Sequence, residues 1–327
     1  MHRVNFIEPA SIQEISVALA SPDATAIAGG SDLLDELKEG TAAYTRLVSL
    51  GGLDSLRAVE AYEGGLRLGA LVTIWELETS ALLTGPFALL AEAARGVATP
   101  ELRHQGTLGG NLCQRPRCYF YRNALTPCLK KGDSDACPAV ESPHQNYLSI
   151  FGGHGCYATH ASDLAPPLIA IGASVVIEGA AGAARQVPAE AFFTGPEVDT
   201  RRENVLLPGE VVTHVILPPM PSGWRGVYSK ARERTAGDFA IASAAIGYEL
   251  AGGCMTGVRV VLGSAGPVPF RSTAAETVLE GRAPSEDVAE RAADAALAGA
   301  TPLGHNGFKV DLLRALITRG VMRLAGS

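Results

Sequence analysis

The chain has 327 residues, 47% hydrophobic and 19% charged, with a net charge of −7 and a pI near 5.6; it is long enough for two or three domains, and its acidic balance argues against a nucleic-acid binder. Six cysteines are too few for a disulfide scaffold, and no run of about 18 apolar residues predicts a membrane span. The N-terminal stretch has no apolar signal core, so the expected compartment is the cytoplasm, or the periplasm if the chain is exported with a signal-bearing partner.

The first fifty residues read helix, strand, loop, helix, strand. Ser11 is the expected N-cap of a helix over 11–20. "TAIA" (25–28) is a buried strand, "DLLDELKEG" (32–40) a helix closed by Gly40, and "TRLVSL" (45–50) a strand. "GLRLGALVT" (65–73) alternates as a half-buried strand, and Thr73 caps a helix over 74–83. Residues 85–105 read as helix up to the Thr99–Pro100 break. A glycine turn, "GTLGGN" (106–111), leads into a cysteine-rich stretch without helical or strand period. Then come a strand (147–151), a glycine turn, a helix (162–173) and a strand (174–179). Loop and strand fill 195–223, ending in a Pro-rich link at Pro218–Gly223 that marks the expected domain boundary. Beyond it, 225–250 and 255–266 predict antiparallel strands, and 273–281, 285–299 and 309–326 predict amphipathic helices.

Cys113, Cys118, Cys128 and Cys137 fall within 25 residues, and Cys156 follows. Unrelated buried thiols, disulfides and a metal site are the three readings. A structureless loop of this length needs a reason, and a bound metal supplies one, because its binding free energy becomes folding free energy. The cysteines lie 5, 10, 9 and 19 positions apart, without the close pair usual for structural zinc. Wide spacing is easier to reconcile with an iron–sulfur cluster, though spacing alone does not choose the metal or exclude Cys113. Arg115, Arg117, Arg122, Lys130 and Lys131 surround the thiols. They either offset the charge of a thiolate-bound cluster or form a solvated basic loop.

Two glycine turns are candidates for binding a diphosphate between them: "AIAGGSDLL" (26–34), a strand–turn–helix, and "GTLGGN", with Thr107 and Asn111 as donors. Neither is a Walker loop. A third turn, "GHGCYA" (Gly153–Ala158), matches a dinucleotide fingerprint. Its helix is expected only from about Ser162, too late to face a phosphate at Gly153, and prolines occupy the first turns.

In order, "AGGSDLL", "GTLGGNL", "ATHASDLAPPL" and "YSKARERTAGDFA" resemble motifs of the FAD-binding subunit of the molybdenum hydroxylases, the family of xanthine dehydrogenase, carbon monoxide dehydrogenase and aldehyde oxidoreductase. The tail "VVLGSAGPVPFRSTAAETVLEG" and "PLGHNGFKVDLLRALITRGVMR" resembles the family's C-terminal domain. The resemblance implies an α+β fold: a two-part FAD domain of the vanillyl-alcohol-oxidase/CO-dehydrogenase type over 1–218 (parts about 1–53 and 54–218), and a smaller α+β domain over 223–327. Asn111 and Asp163 lie about fifty positions apart, much further than in ordinary members. The insertion, about 113–157, resembles that of flavin subunits carrying an extra 4Fe-4S cluster, closest to the bacterial aldehyde oxidoreductase type.

By this resemblance Cys118, Cys128, Cys137 and Cys156 match the cluster ligands, and Cys113 falls where relatives often have an apolar residue. Ala28, Gly29, Gly30, Ser31, Asp32 and Leu33 match the first pyrophosphate loop, with Ser31 where Thr is commoner. Thr107, Gly109, Gly110 and Asn111 match the second. Asp163 matches an acidic residue near the flavin's ribityl or ribose hydroxyls, and Lys230 a lysine near FAD. The implied function is electron transfer from iron–sulfur clusters through FAD to an external acceptor. Substrate oxidation then falls to a molybdenum-cofactor large subunit, and a 2Fe-2S small subunit completes the complex. The rivals are a nucleotide-binding module with a structural zinc site, and an NAD-dependent dehydrogenase using Gly153–Ala158.

Overall fold

The computed structural model describes residues 3–179, 184–235 and 237–326. Three sheets organise them. The first is parallel, in the order β1 (Asn5–Ile7), β3 (Arg46–Ser49), β2 (Ala24–Ile27). Helices Ile12–Leu19 and Leu33–Glu39 connect its strands. Ser11 caps the first by accepting the Glu14 N–H, and Gly40 ends the second in the left-handed region. β1 is three residues long, too short to show a period.

The second sheet is antiparallel, in the order β4 (Val59–Tyr62), β5 (Gly65–Gly69), β8 (Val211–Leu217), β6 (Ser174–Glu178), β7 (Ala184–Pro188). After β5 the chain leaves this sheet and returns at β6, and β8 then closes against β5. The excursion holds the second glycine turn and the cysteines. It begins with a helix, Ile74–Thr79, fixed by a capping box between Thr73 and Glu76. The helix expected up to Thr99 ends earlier, at Gly96, with Val97 extended and Ala98 at positive φ, and Pro100 instead opens a further short helix, Pro100–Gln105, because proline suits a first helical turn.

The third sheet, β12 (Phe270–Arg271), β11 (Cys254–Gly263), β10 (Ala242–Ala251), β9 (Arg225–Ala231), is antiparallel and buried on both faces. Side chains alternate between two cores. Ala244, Ile246, Val260 and Leu262 pack with the helices Thr273–Leu279, Glu286–Leu297 and Phe308–Ala325. Ala245 and Val261 point the other way, into a core with Leu68 of β5 and Leu168 of the helix Ala165–Ile171. No helix among the described residues is long and apolar enough to cross a membrane.

The strand expected over 147–151 does not form. Only a single bridge, Leu148 to Ala158, survives. Ile150 and Phe151 are buried in the C-terminal core, and their N–H groups go to Ala265 O. Asn306 Nδ2 and Lys309 Nζ donate to the carbonyls of this stretch, including Leu148 O (3.3 and 2.8 Å). Apolar residues there mark a seam between domains, not a sheet. The following helix starts at Ala165, later than expected, with prolines in its first turn and Ser162 Oγ accepting the Ala165 N–H.

His160 is buried in the same seam, edge-on to Phe193 (centroids 4.5 Å apart), with Nδ1 accepting the Ser162 N–H. Burial pulls its pKa from 6.5 down to about 4. A neutral imidazole in the fold means that the unfolded chain takes up a proton first as pH falls. The stabilisation is whole above about pH 6.5 and is lost as pH drops from there toward 4. Urea titrations should show wild type losing on the order of 3 kcal/mol more than His160→Leu across that window; equal losses would contradict this reading.

Candidate functional site

A cavity of about 810 Å³ lies between the first sheet, the second glycine turn, the start of β8 and the loop between β9 and β10. That volume suits a large cofactor. Both loops meet there, and Ala28, Gly29, Gly30, Ser31, Asp32 and Leu33 line one side. Gly30 has φ +69, a conformation that glycine adopts without strain. The Leu34 and Asp35 N–H groups donate to Gly30 O and Asp32 O, which closes the first helical turn and leaves the amides of the loop before it to face an anion. On the other side Thr107, Gly109, Gly110 and Asn111 line the wall. The stretch expected as a turn is a short helix, Leu108–Leu112, whose N-cap Thr107 accepts the Gly110 N–H. Asn111 is oriented by Ser162, whose hydroxyl donates to its Oδ1 at 2.5 Å.

The loops also touch each other. A Cβ on Gly29 would lie 1.7 Å from Gln105 O, so only glycine lets the first loop approach the turn before Thr107. Leu102, beside this contact, lines the cavity, and His104 stacks on Trp75.

Asp163 lines the cavity, but Lys230 does not. The Lys230 ammonium donates to Asp163 Oδ2 (2.7 Å) and Gly96 O (3.0 Å). The Tyr228 hydroxyl donates to Asp163 Oδ1 at 2.6 Å. Tyr228 and Lys230 are two apart on β9 and therefore share a face. Lys230 thus acts on the cavity through Asp163. Sequence reasoning missed Tyr228, which the period of two next to Lys230 would have revealed.

Four cysteines share one small core. Cys118, Cys128 and Cys156 are buried in it with Tyr121, Ala139, Leu148 and Ala158, and Cys137 packs against it. Backbone amides face the sulfurs: those of Tyr121 and Phe120 at Cys118, of Ala139, Tyr157 and Val140 at Cys137, and of Ala158 at Cys156. Burial pushes the Cys118 thiol up to about 12 and raises Cys137 and Cys156. A bound cation would reverse this, and the amide donors suit thiolate sulfur. Among the described residues no three Cys, His, Asp or Glu side chains converge as ligands of one ion. Cys113 stands apart, on the cavity wall and against the core around Leu68.

The basic residues are not free counter-charges around the thiols. Arg117 and Arg122 both pair with Asp32 Oδ1 (2.7 Å each), and the Arg115 N–H donates to Asp32 Oδ2 (2.8 Å). These partners hold the Asp32 carboxyl below its usual range against the opposing effect of burial. Arg115 and Lys130 pair with Glu203, which also lines the cavity. Tyr121 donates to Glu36 Oε1 (2.5 Å) and accepts from Arg115 Nε (2.7 Å). Arg117 lies over the Phe239 ring at 4.2 Å. The cysteine segment is therefore stitched to the cavity wall by carboxylates. Glu203, a lone acidic residue in a loop, carried no signal for this role.

The third glycine turn lacks the geometry of a dinucleotide fingerprint. Gly153, His154 and Gly155 all have positive φ, Cys156 joins the thiol core, and no helix begins before Ala165. The NAD reading falls for want of a helix N-terminus at the turn.

A cavity held between two glycine loops and bordered by the loop between β9 and β10 defines a subunit that carries a large cofactor. The chain belongs to the FAD-binding subunits of the molybdenum hydroxylases. Residues 2–220 match the FAD binding domain in molybdopterin dehydrogenase. Residues 227–324 match the CO dehydrogenase flavoprotein C-terminal domain. The chain is 33% identical to the aldehyde oxidoreductase FAD-binding subunit PaoB of Escherichia coli K12, over 90% of this chain and 89% of that one. It is 27% identical to the carbon monoxide dehydrogenase medium chain of Hydrogenophaga pseudoflava, over 98% and 96%. A solved carbon monoxide dehydrogenase from that organism superposes with a TM-score of 0.78 at 26% identity, covering 99% of this chain and 98% of that one. Quinoline 2-oxidoreductase from Pseudomonas putida 86 gives 0.77 at 25%, covering 99% and 98%.

Gly29→Ala should force the loops apart and weaken FAD binding about 5- to 150-fold, for a clash costing about 1–3 kcal/mol. Flavin fluorescence titration of the apoprotein reads it; unchanged affinity would show that the approach of the loops does not shape the site.

Proposed function

We propose that this chain carries, besides FAD, a 4Fe-4S cluster on Cys118, Cys128, Cys137 and Cys156. It would serve as the medium subunit of a complex with a molybdenum-cofactor large subunit and a 2Fe-2S small subunit. The observation that carries the cluster reading is the shared thiol core, with backbone amides aimed at its sulfurs. A long segment with so small an apolar core gains stability from a bound metal group. The similarity to an aldehyde oxidoreductase subunit supports an aldehyde-oxidising complex. Relatives named as medium chains or FAD-binding subunits support the multi-subunit arrangement.

When bound, FAD and the cluster supply the redox chemistry, taking electrons singly from iron–sulfur centres and returning pairs from the flavin to an external acceptor. The residues here bind and orient. The two glycine loops receive the diphosphate, and Gly29 sets their separation. Asp163, held by Tyr228 and Lys230, presents a fixed carboxylate to the ribityl or ribose hydroxyls. Asp32 offers its backbone to the cofactor, because its carboxylate is engaged by arginines.

Anaerobically purified protein should show flavin absorbance with about four irons and four sulfides per chain. Serine at Cys118, Cys128, Cys137 or Cys156 should lower the iron count, and Cys113→Ser should not. Flavin without iron in the wild type would remove the cluster, and one zinc per chain would restore the rival structural site.

A further inference from the structure

Lys130 follows Cys128 and Leu129 of the thiol core, and its ammonium meets the cavity wall at Glu203. Its side chain is 7% exposed and pairs with Glu203, 5% exposed. Lys130 sits in the tight turn that follows Cys128, where the Lys131 N–H donates to Cys128 O (3.0 Å) and Leu129 packs on the thiol core. Glu203 lines the cavity and is shared with Arg115. The other nearby cations are engaged elsewhere: Arg117 and Arg122 by Asp32, and Lys131 by the carbonyls of Asn123 and Thr126. Lys309, also buried, donates to Asn146 O and Leu148 O. Lys130 thus ties the turn beside Cys128 to a carboxylate of the cavity wall.

Burying both charges costs desolvation that a packed apolar pair would avoid. The arrangement makes sense where a negative charge develops beside the cation. A cluster held by four thiolates is anionic and gains a further negative charge on reduction, and its potential follows the charges around it. The added electron needs no proton or bond change.

Building on the cluster reading, we propose that Lys130 is a positioning residue for electron transfer: its charge, offset by Glu203, sets the reduction potential of the cluster and so ranks the cluster against the flavin. Removing the cation should make the reduced cluster harder to form. Removing the carboxylate leaves the cation less compensated and should make it easier. Because Glu203 is on the cavity wall, the two cofactors share this charge pair.

The test is a mediated redox titration of the full chain in its complex, followed by electron paramagnetic resonance, with iron and flavin counted in each sample. Lys130→Met should lower the cluster potential by about 59 mV, a tenfold change in a one-electron equilibrium. Glu203→Gln should raise it by a similar amount, and Lys130→Arg should leave it near wild type. Shifts of opposite sign support the proposal, since a loosened structure would move both variants the same way. If Lys130→Met takes up no iron, an iron-loaded Lys130→Arg near the wild-type potential together with a raised Glu203→Gln supports it. Unmoved potentials at full iron content, shifts of one sign, or loss of iron from Lys130→Arg as well would overturn it. Wild type without iron would overturn the cluster reading itself; iron present with unmoved potentials overturns only the role of Lys130.

Discussion

Two carboxylates, Asp32 and Glu203, hold the molecule's two functional regions together. Asp32 belongs to the first glycine loop and takes Arg117 and Arg122. Glu203 belongs to the loop before β8 and takes Arg115 and Lys130. All four cations come from the segment that carries the cysteines. Removing one partner of a buried pair strands the other, at about 3–5 kcal/mol. The segment has little apolar core of its own, so these pairs and the clamp from Asn306 and Lys309 fix its place.

That anchoring follows from the topology. The chain leaves the second sheet after β5 and returns at β6, so a long insertion is tethered at both ends beside the cavity. The third sheet is covered on both faces, and one of its strands supplies Tyr228 and Lys230 to Asp163. Cofactor loops, thiol core and C-terminal domain therefore meet in one region. Shared ion pairs hold the cysteine segment beside the flavin cavity without a shared hydrophobic core.

The helices of the first and last segments were legible because their caps and periodicity are local: Ser11, Gly40 and Thr73 each do what their chemistry dictates. The first glycine turn was legible for the same reason, whereas the second, read as a turn, opens a short helix capped by Thr107. The strand over 147–151 was misread because apolar residues at a domain seam look like those of a sheet. The basic residues were placed around the thiols but not on their carboxylates, since Asp32 and Glu203 are distant in sequence and only the fold brings them in. Lys230 was found as a motif residue, yet its action through Asp163 depends on a tertiary contact that no local pattern encodes. The separation of Cys113 from the other thiols is likewise a matter of packing, since it sits on the cavity wall.

If the ion pairs make one unit of flavin cavity and cysteine segment, loading one region should strengthen the other. The direct measurement is FAD affinity of the full chain, purified anaerobically, before and after treatment with a chelator that would remove the proposed cluster. The account predicts that FAD binds at least about tenfold more weakly once iron is removed, a coupling of about 1.4 kcal/mol. Identical affinities in the two states would contradict it.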